Sequence, residues 1–349
     1  MVRRTGHGRE RGNLAQTIDD IAALCGVSRA TVSRVLNGGP VSSVTREKVQ
    51  LVLDRLNYRP NAAARTLASG RSGVIGVVMH IDPHLLFQDP YFSQLLQGMS
   101  DVLIEQDAGM MLWLATQPKE QLLDRILSMG MLDGVVATAY DVKDPLIDGL
   151  LASHVPTVLI GHRRPDRSAS YVDIDHVHAA DSVTSHLIRL GRRRIGHITG
   201  RRGTVAAEDR IVGYQRAMDR ARLPSEGLIV DGDYNRPSGG AAAQTLLERG
   251  VDAIFSANDA MADGALEAIK QQGRRVPEDV ALAGFDDLDF SAHLDPPLTT
   301  VRQGVRQQGR EAANTLFQLL ADRGGGPRRV ILPTELVIRQ STVGGVQRG

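Results

Sequence analysis

Thr17-Ile18-Asp19-Asp20-Ile21-Ala22, Gly26-Val27-Ser28, Thr31-Val32-Ser33-Arg34-Val35-Leu36-Asn37 and Thr45-Arg46-Glu47-Lys48-Val49 follow one another near the start of a 349-residue chain. Thr17 is placed to cap a first helix, with Asp20 as its capping-box partner. Ile18, Ile21, Ala22 and Leu24 give that helix an apolar side, and Gly26 suits the turn that ends it. Ser28 caps a second helix, with Val32, Val35 and Leu36 inward and Arg29, Ala30, Ser33 and Arg34 outward. Thr45 caps a third, with Val49, Val52, Leu53 and Leu56 buried. Helix, glycine turn, helix is the helix-turn-helix unit, whose second helix enters the major groove of duplex DNA. Pro60 then permits a further helix over Asn61–Ala68, whose small residues make it too short and weakly apolar to be stable alone.

Charge follows the same division. Net charge is +1, but residues 1–73 hold 12 Lys/Arg against 5 Asp/Glu, a net +7. The remaining residues hold 29 against 35, a net −6. A basic head on an acidic body is expected when only the head meets a polyphosphate. The single cysteine, Cys25, excludes a disulfide framework and suits a reducing compartment. The Arg-rich start has no apolar leader pattern, and no apolar run approaches the ~20 residues of a membrane span. A cytoplasmic protein is expected.

From Val74 short apolar runs alternate with amphipathic stretches. Strands are predicted at Val74–Met79, Met110–Ala115, Gly134–Ala137, Pro156–Ile160, Ile195–Ile198, Ala253–Ser256 and Ala281–Phe285. Helices are predicted near Phe92–Gln106, Lys119–Met129, Ala179–Leu190, Asp209–Arg222, Gly239–Glu248 and Met261–Gln271. This alternation implies an α/β body of doubly wound parallel sheets. Such sheets bind ligands at the carboxyl ends of their strands.

Several phrases are more specific than periodicity. Val27-Ser28-x-x-Thr31-Val32-Ser33-Arg34-Val35-Leu36-Asn37 and Leu56-Asn57-Tyr58-x-Pro60-Asn61 stand in the head. Leu190-Gly191-Arg192-Arg193-Arg194-Ile195-Gly196-His197-Ile198, Ala257-Asn258-Asp259-x-Met261-Ala262-x-Gly264, Gly284-Phe285-Asp286-Asp287 and Pro296-Pro297-Leu298-Thr299-Thr300-Val301 stand in the body. Together they resemble the lactose/galactose repressor (LacI/GalR) family of bacterial transcription regulators, over nearly the whole chain. The resemblance implies that Arg29, Ala30 and Arg34 read base edges. Ser28, Thr31, Ser33, Asn37 and Thr45 would hold phosphates or register, and Thr17 and Asn61 would also belong to the DNA-binding set. Leu67 would wedge into a central minor-groove step and kink the operator. It also implies a body like periplasmic sugar-binding proteins, with two lobes joined by three crossovers near 173, 299 and 333.

The expected domains are a disordered basic tail (1–16), the head (17–59), and a hinge helix with linker (60–73). The first lobe takes 74–173 and 300–333, the second 174–299, and a C-terminal strand and tail 334–349. By resemblance, Tyr91, Phe92, Arg210, Tyr234, Asn258 and Asp286 would bind a small-molecule effector. An Arg–Asp pair among aromatics suits a neutral polyol such as a sugar. His162, at another strand end, reads as a neutral surface residue. The loop Met79–Pro90, with Leu85, Leu86 and Phe87, is a few residues longer than the family pattern and borders the effector cleft.

No phosphate loop, H-E-x-x-H or C-x-x-C pattern is present, so catalysis, metal and cofactor are not expected. A transport-type solute-binding protein would carry a leader and no DNA head. The expected function is a ligand-controlled transcription regulator, a repressor, that grips a pseudo-palindromic operator as a homodimer. No leucine heptad follows Arg339, so a tetramer is not expected.

Overall fold

A computed structural model describes residues 17–36, 38–58, 71–79, 83–114, 119–138, 141, 143–162, 168–322 and 324–343. Two compact units divide the chain at residues 72 and 73. The expected tail and hinge helix lie outside the described residues.

The head holds α1 (Ile18–Cys25), α2 (Arg29–Leu36) and α3 (Ser43–Arg55). Thr17 and Asp20 form the capping box: Asp20 N donates to Thr17 Oγ1 at 3.3 Å, and Thr17 N donates to Asp20 Oδ2 at 2.8 Å. Gly26 ends α1 at φ 59°, the left-handed conformation that glycine adopts most readily. The apolar side of α1 is Ile18, Ile21, Ala22 and Cys25, whereas Leu24 is 63 % exposed. Helical spacing explains the correction, because Cys25 lies seven residues from Ile18 and returns to the same face. A second correction concerns α3. Ser42 is its N-cap, accepting from Thr45 N at 3.2 Å, so Thr45 sits one turn inside the helix. Val32, Val35, Val49 and Leu53 complete the small core.

The body winds two six-stranded sheets. The first is built from β1 (Val74–Met79), β2 (Gly109–Leu114), β3 (Gly134–Thr138), β4 (Thr157–Ile160), β5 (Ser170–Ile174) and β11 (Arg329–Leu332). Their order is β11-β5-β4-β3-β1-β2, all parallel. The second contains β6 (Ile195–Thr199), β7 (Ile229–Asp231), β8 (Ala253–Ser256), β9 (Ala281–Asp286), β10 (Thr299–Arg302) and β12 (Glu335–Val337). Their order is β12-β10-β9-β8-β6-β7, parallel except for the edge strand β12.

Helices cover both sheets. In the first lobe these are α4 (Pro83–Gln88), α5 (Pro90–Glu105), α6 (Lys119–Ser128), α7 (Pro145–Ala152) and α12 (Val305–Ala321). In the second they are α8 (His176–Arg189), α9 (Val205–Arg220), α10 (Arg236–Glu248), α11 (Asp259–Gln271) and the short α13 (Gln340–Val343). α12 packs on α5 and across β3, β4 and β5.

The second crossover differs from expectation. β10 pairs with β9 from Thr299↔Ala283 to Arg302↔Asp286, so residues 300–302 belong to the second sheet and the chain crosses after Arg302. Likewise β5 keeps Ile174 in the first sheet, opposite Leu332. The long loop after β1 folds as α4, with Leu86 buried and Phe87 85 % exposed. The Leu85 side chain lies outside what the structure describes.

Candidate functional site

In each sheet the chain reverses its winding between the first strand and its neighbour, β1 beside β3 and β6 beside β8. A crevice opens where such a reversal occurs. The strand ends of both lobes line one cleft of about 900 Å³, including its open mouth. Tyr91, Phe92, Arg210, Tyr234, Asn258 and Asp286 all line it. So do Asp89, Asp173, His176, Gln303 and Gln308, which the sequence reading did not single out.

Arg210, on α9, is the cleft's buried cation, 3 % exposed. Its Nη1 donates to the Ala257 carbonyl, and its Nη2 lies 3.4 Å from His176 Nδ1. The guanidinium carbon stands 3.8 Å over the Phe285 ring, a cation–π contact. Nε is buried with no acceptor among the described residues. A buried donor left unpaired is costly, and the guanidinium it belongs to lines the cleft.

Behind Arg210 lies a polar relay. His176 Nε2 is 3.2 Å from Asp173 Oδ1, and His162 Nδ1 is 2.5 Å from Asp173 Oδ2. His162 is therefore bound to a buried carboxylate and stacked on Tyr171, not a plain surface residue. Burial alone would raise the Asp173 carboxyl, but hydrogen bonds from His162 and His176 outweigh it and hold the group well below the usual carboxylate range. Burial lowers His176, which keeps the imidazole neutral. With Nδ1 accepting from Arg210, its proton sits on Nε2 and points to Asp173.

The walls are aromatic. Tyr91 and Phe92 meet edge to face at 5.2 Å, and burial raises the Tyr91 phenol. Asp89 caps α5 by accepting from Tyr91 N at 2.9 Å, and burial pushes its carboxyl up to about 6. Tyr234 is held by its hydroxyl, 3.1 Å from Thr204 Oγ1, and by its carbonyl, which accepts from Asn258 Nδ2 at 3.0 Å. Its ring needs the bare backbone of Gly200, where a Cβ would fall 1.9 Å from Tyr234 Cζ. Asn258 also caps α11, accepting from Met261 N at 2.9 Å.

Asp286 is buried, and burial drives its carboxyl well above the usual range despite the nearby Arg210 charge. Gln303 Nε2 donates to Asp286, and Gln308 Nε2 donates to Gln303 Oε1 at 3.0 Å. Gln303 follows β10 and Gln308 lies on α12, so this chain of amides links the second lobe to the first. A bridge between Asp141 and Thr204, with Arg201 3.9 Å from Asp141, joins the lobes a second time.

One further buried acid lies beneath this site. Asp259 accepts from Thr300 Oγ1 at 2.6 Å and Leu288 N at 2.9 Å, and burial pushes it up to about 7. The folded chain thus holds this proton more tightly than the unfolded chain, whose aspartate titrates near 3.8. Its contribution to stability is full below that value and is lost as pH rises through about 7. Asp259→Asn should cancel the loss, so variant minus wild-type melting temperature should grow from about pH 5 to about pH 8. A difference that does not vary with pH would refute the assignment.

In the head, Arg29, Ala30 and Arg34 are exposed on one side of α2, with Ser33 half-buried beside them. Arg29 reaches Asp19 at 3.5 Å. Ser28 Oγ accepts from Thr31 N at 3.2 Å and touches Thr31 Oγ1 at 2.9 Å. Thr45 Oγ1 lies 2.8 Å from Ser42 Oγ, and Thr17 is occupied by its cap. Asn37, Asn61 and Leu67 lie outside the described residues. Among the described residues no cluster suits a metal ion, and no helix is long and apolar enough to cross a membrane.

A three-helix reading head and a two-lobed body with a ligand-sized cleft define a ligand-binding DNA-recognition protein. Residues 17–61 match the family described as bacterial regulatory proteins, lacI family, and residues 184–342 match the periplasmic binding protein-like domain. The chain is 38 % identical to the HTH-type transcriptional regulator CelR of Thermobifida fusca, over 93 % of this chain and 98 % of that one. A solved CelR–cellobiose complex superposes with a TM-score of 0.74 at 36 % identity, covering 93 % of this chain and 99 % of that one. The lac repressor dimer bound to operator and the anti-inducer ONPF gives 0.83 at 28 %, covering 94 % and 99 %. The chain belongs to the lacI family and is a helix-turn-helix transcription regulator.

Proposed function

We propose that the chain is a repressor whose operator affinity is set by a neutral sugar bound between its lobes. The observation that carries this reading is the buried Arg210, which lines the cleft together with the aromatic walls Tyr91, Phe92 and Tyr234. Its permanent charge is balanced by Asp173 through His176, while burial favours the neutral form of Asp286. Such a cleft offers directional hydrogen bonds with little net charge, which suits hydroxyls rather than phosphates. Because CelR was solved with cellobiose, that disaccharide is the first ligand to try.

On the DNA side, Arg29 and Arg34 contact bases, Ala30 allows close approach, the hydroxyls of Ser28, Thr31, Ser33 and Thr45 face the backbone, and Thr17 fixes the start of the first helix through its cap. Asn37, Asn61 and Leu67 take their DNA-binding roles from family resemblance. One head reads a half-site, so two copies are required for a palindrome. β2 supports pairing, as an open sheet edge carrying Met110, Met111, Leu112, Trp113 and Leu114.

The test is fluorescence anisotropy of the full chain on a duplex selected from a random pool, with cellobiose, glucose or hypoxanthine added. Operator and effector affinities are reciprocally coupled, so the active ligand should shift the curve by about 5- to 150-fold. A response to hypoxanthine alone would overturn the sugar reading. Failure to select any duplex would overturn the DNA assignment.

A further inference from the structure

The carboxylate that faces the cleft is followed at once by one that does not. Asp286 ends β9 at φ 113°, and Asp287 follows at φ 57°, two consecutive non-glycine residues at positive φ. Backbone of this kind persists only where its surroundings hold it. Here the grip is explicit. Arg302 Nε donates to Asp287 Oδ2 at 2.7 Å, and Arg339 Nη2 donates to Asp287 Oδ1 at 2.6 Å. Asp287 N donates to Thr300 Oγ1 at 3.3 Å.

Arg302 stands at the second crossover, and Arg339 lies just beyond β12, past the third. Arg302 is the last residue of β10, paired across to Asp286 on one side and Glu335 on the other. Its Nη1 also donates to Glu335 Oε2 at 2.7 Å, at the start of β12. Arg339 follows β12 and donates from Nη1 to the Leu298 carbonyl at 2.8 Å. The next residue after Arg302 is Gln303, which binds Asp286 and is bound by Gln308 of α12. Successive residues thus divide their tasks: 286 and 303 line the cleft, while 287 and 302 pair with each other away from it.

We infer that Asp287, gripped by Arg302 and Arg339, is a positioning residue that fixes Asp286 in the cleft and fastens the cleft floor to the second and third crossovers. Effector contact at Asp286 is then read by the segments that join the lobes. The inference rests on the sugar reading only for its choice of probe.

Two measurements on the full chain test it. Without ligand, hydrogen exchange of peptides spanning 284–289 and 303–308 should rise at least tenfold in Asp287→Asn, with peptides remote from Thr300, Arg302 and Arg339 unchanged. Arg302→Gln, at a half-exposed site, should give a smaller rise in the same peptides and serves if Asp287→Asn does not fold. With cellobiose, Asp287→Asn should weaken binding at least tenfold while ligand-free operator affinity stays within twofold. The double variant Asp286→Asn/Asp287→Asn should bind no more weakly than Asp286→Asn, because the second residue acts through the first. Unchanged exchange at 284–289, or losses that multiply in the double variant, would overturn the clamp. Wild-type chain that ignores cellobiose would refute the sugar reading and leave the exchange result to decide the clamp.

Discussion

Arg210→Ala should abolish effector response while leaving DNA binding intact. Among the described residues the guanidinium is the one buried cation lining the cleft, and it touches three groups besides any ligand: the Ala257 carbonyl, His176 Nδ1 and the Phe285 face. Hydrogen bonds to a charged group contribute about 1.5–3 kcal/mol each. Losing the ligand contact and the order it imposes should weaken cellobiose, or whichever sugar shifts the wild type, by about 100-fold, roughly 3 kcal/mol. Arg210→Lys should fare little better, since an ammonium cannot reproduce the planar fork. Calorimetry measures the first effect, and operator anisotropy without ligand should stay within about threefold of wild type, since this change lies in the body and not in the DNA-binding head. A variant that still responds to ligand at wild-type concentrations would remove Arg210 from the site.

Gly98→Ala should cripple the first lobe. α5 and α12 cross with their backbones in contact: a Cβ at Gly98 would fall 2.0 Å from the Arg306 carbonyl oxygen, and one at Gly309 2.1 Å from that of Leu95. Neither obstacle is a side chain that can rotate away, so the helices must part. Overpacking of this kind costs about 3 kcal/mol. The melting transition should fall by roughly 10 °C. Gly130→Ala, with no atom within 4 Å of its Cβ but φ 57°, is the strained comparison without a clash. A loss at Gly98 no larger than that at Gly130 would overturn the account of a backbone clash between the two helices.

The long apolar runs were legible because burial on both faces leaves no alternation to misread: Val74–Met79 and Ala253–Ser256 form strands with the bounds expected. β5, β7, β10, β11 and β12 were not, being three to five residues long and mixed with polar side chains such as Asp173 and Glu335. Their identity comes from sheet neighbours far along the chain. α7 carries a sequence signal of its own, Asp144 as its cap with Pro145 at its first position. At the cleft, motif-borne residues such as Arg210 and Asp286 could be found in sequence. Gln303 and Gln308 could not, because their meaning is a contact made after the second crossover. Asp89 carried a signal, a capping aspartate directly before Pro90 and Tyr91.

The path of the chain through the first lobe sets an order of assembly. The core around Ile75, Leu95, Met99 and Val136 is closed by Val305, Ala312, Ala313, Leu316 and Leu320 of α12. The ribosome makes those five only after the whole of β6 to β10. At roughly 5–20 residues per second the interval is on the order of 10 s. During that time the nascent first lobe shows an open apolar face beside a neighbour already winding its own sheet. Synthesis of this regulator therefore leaves that apolar face without its covering helix until α12 emerges.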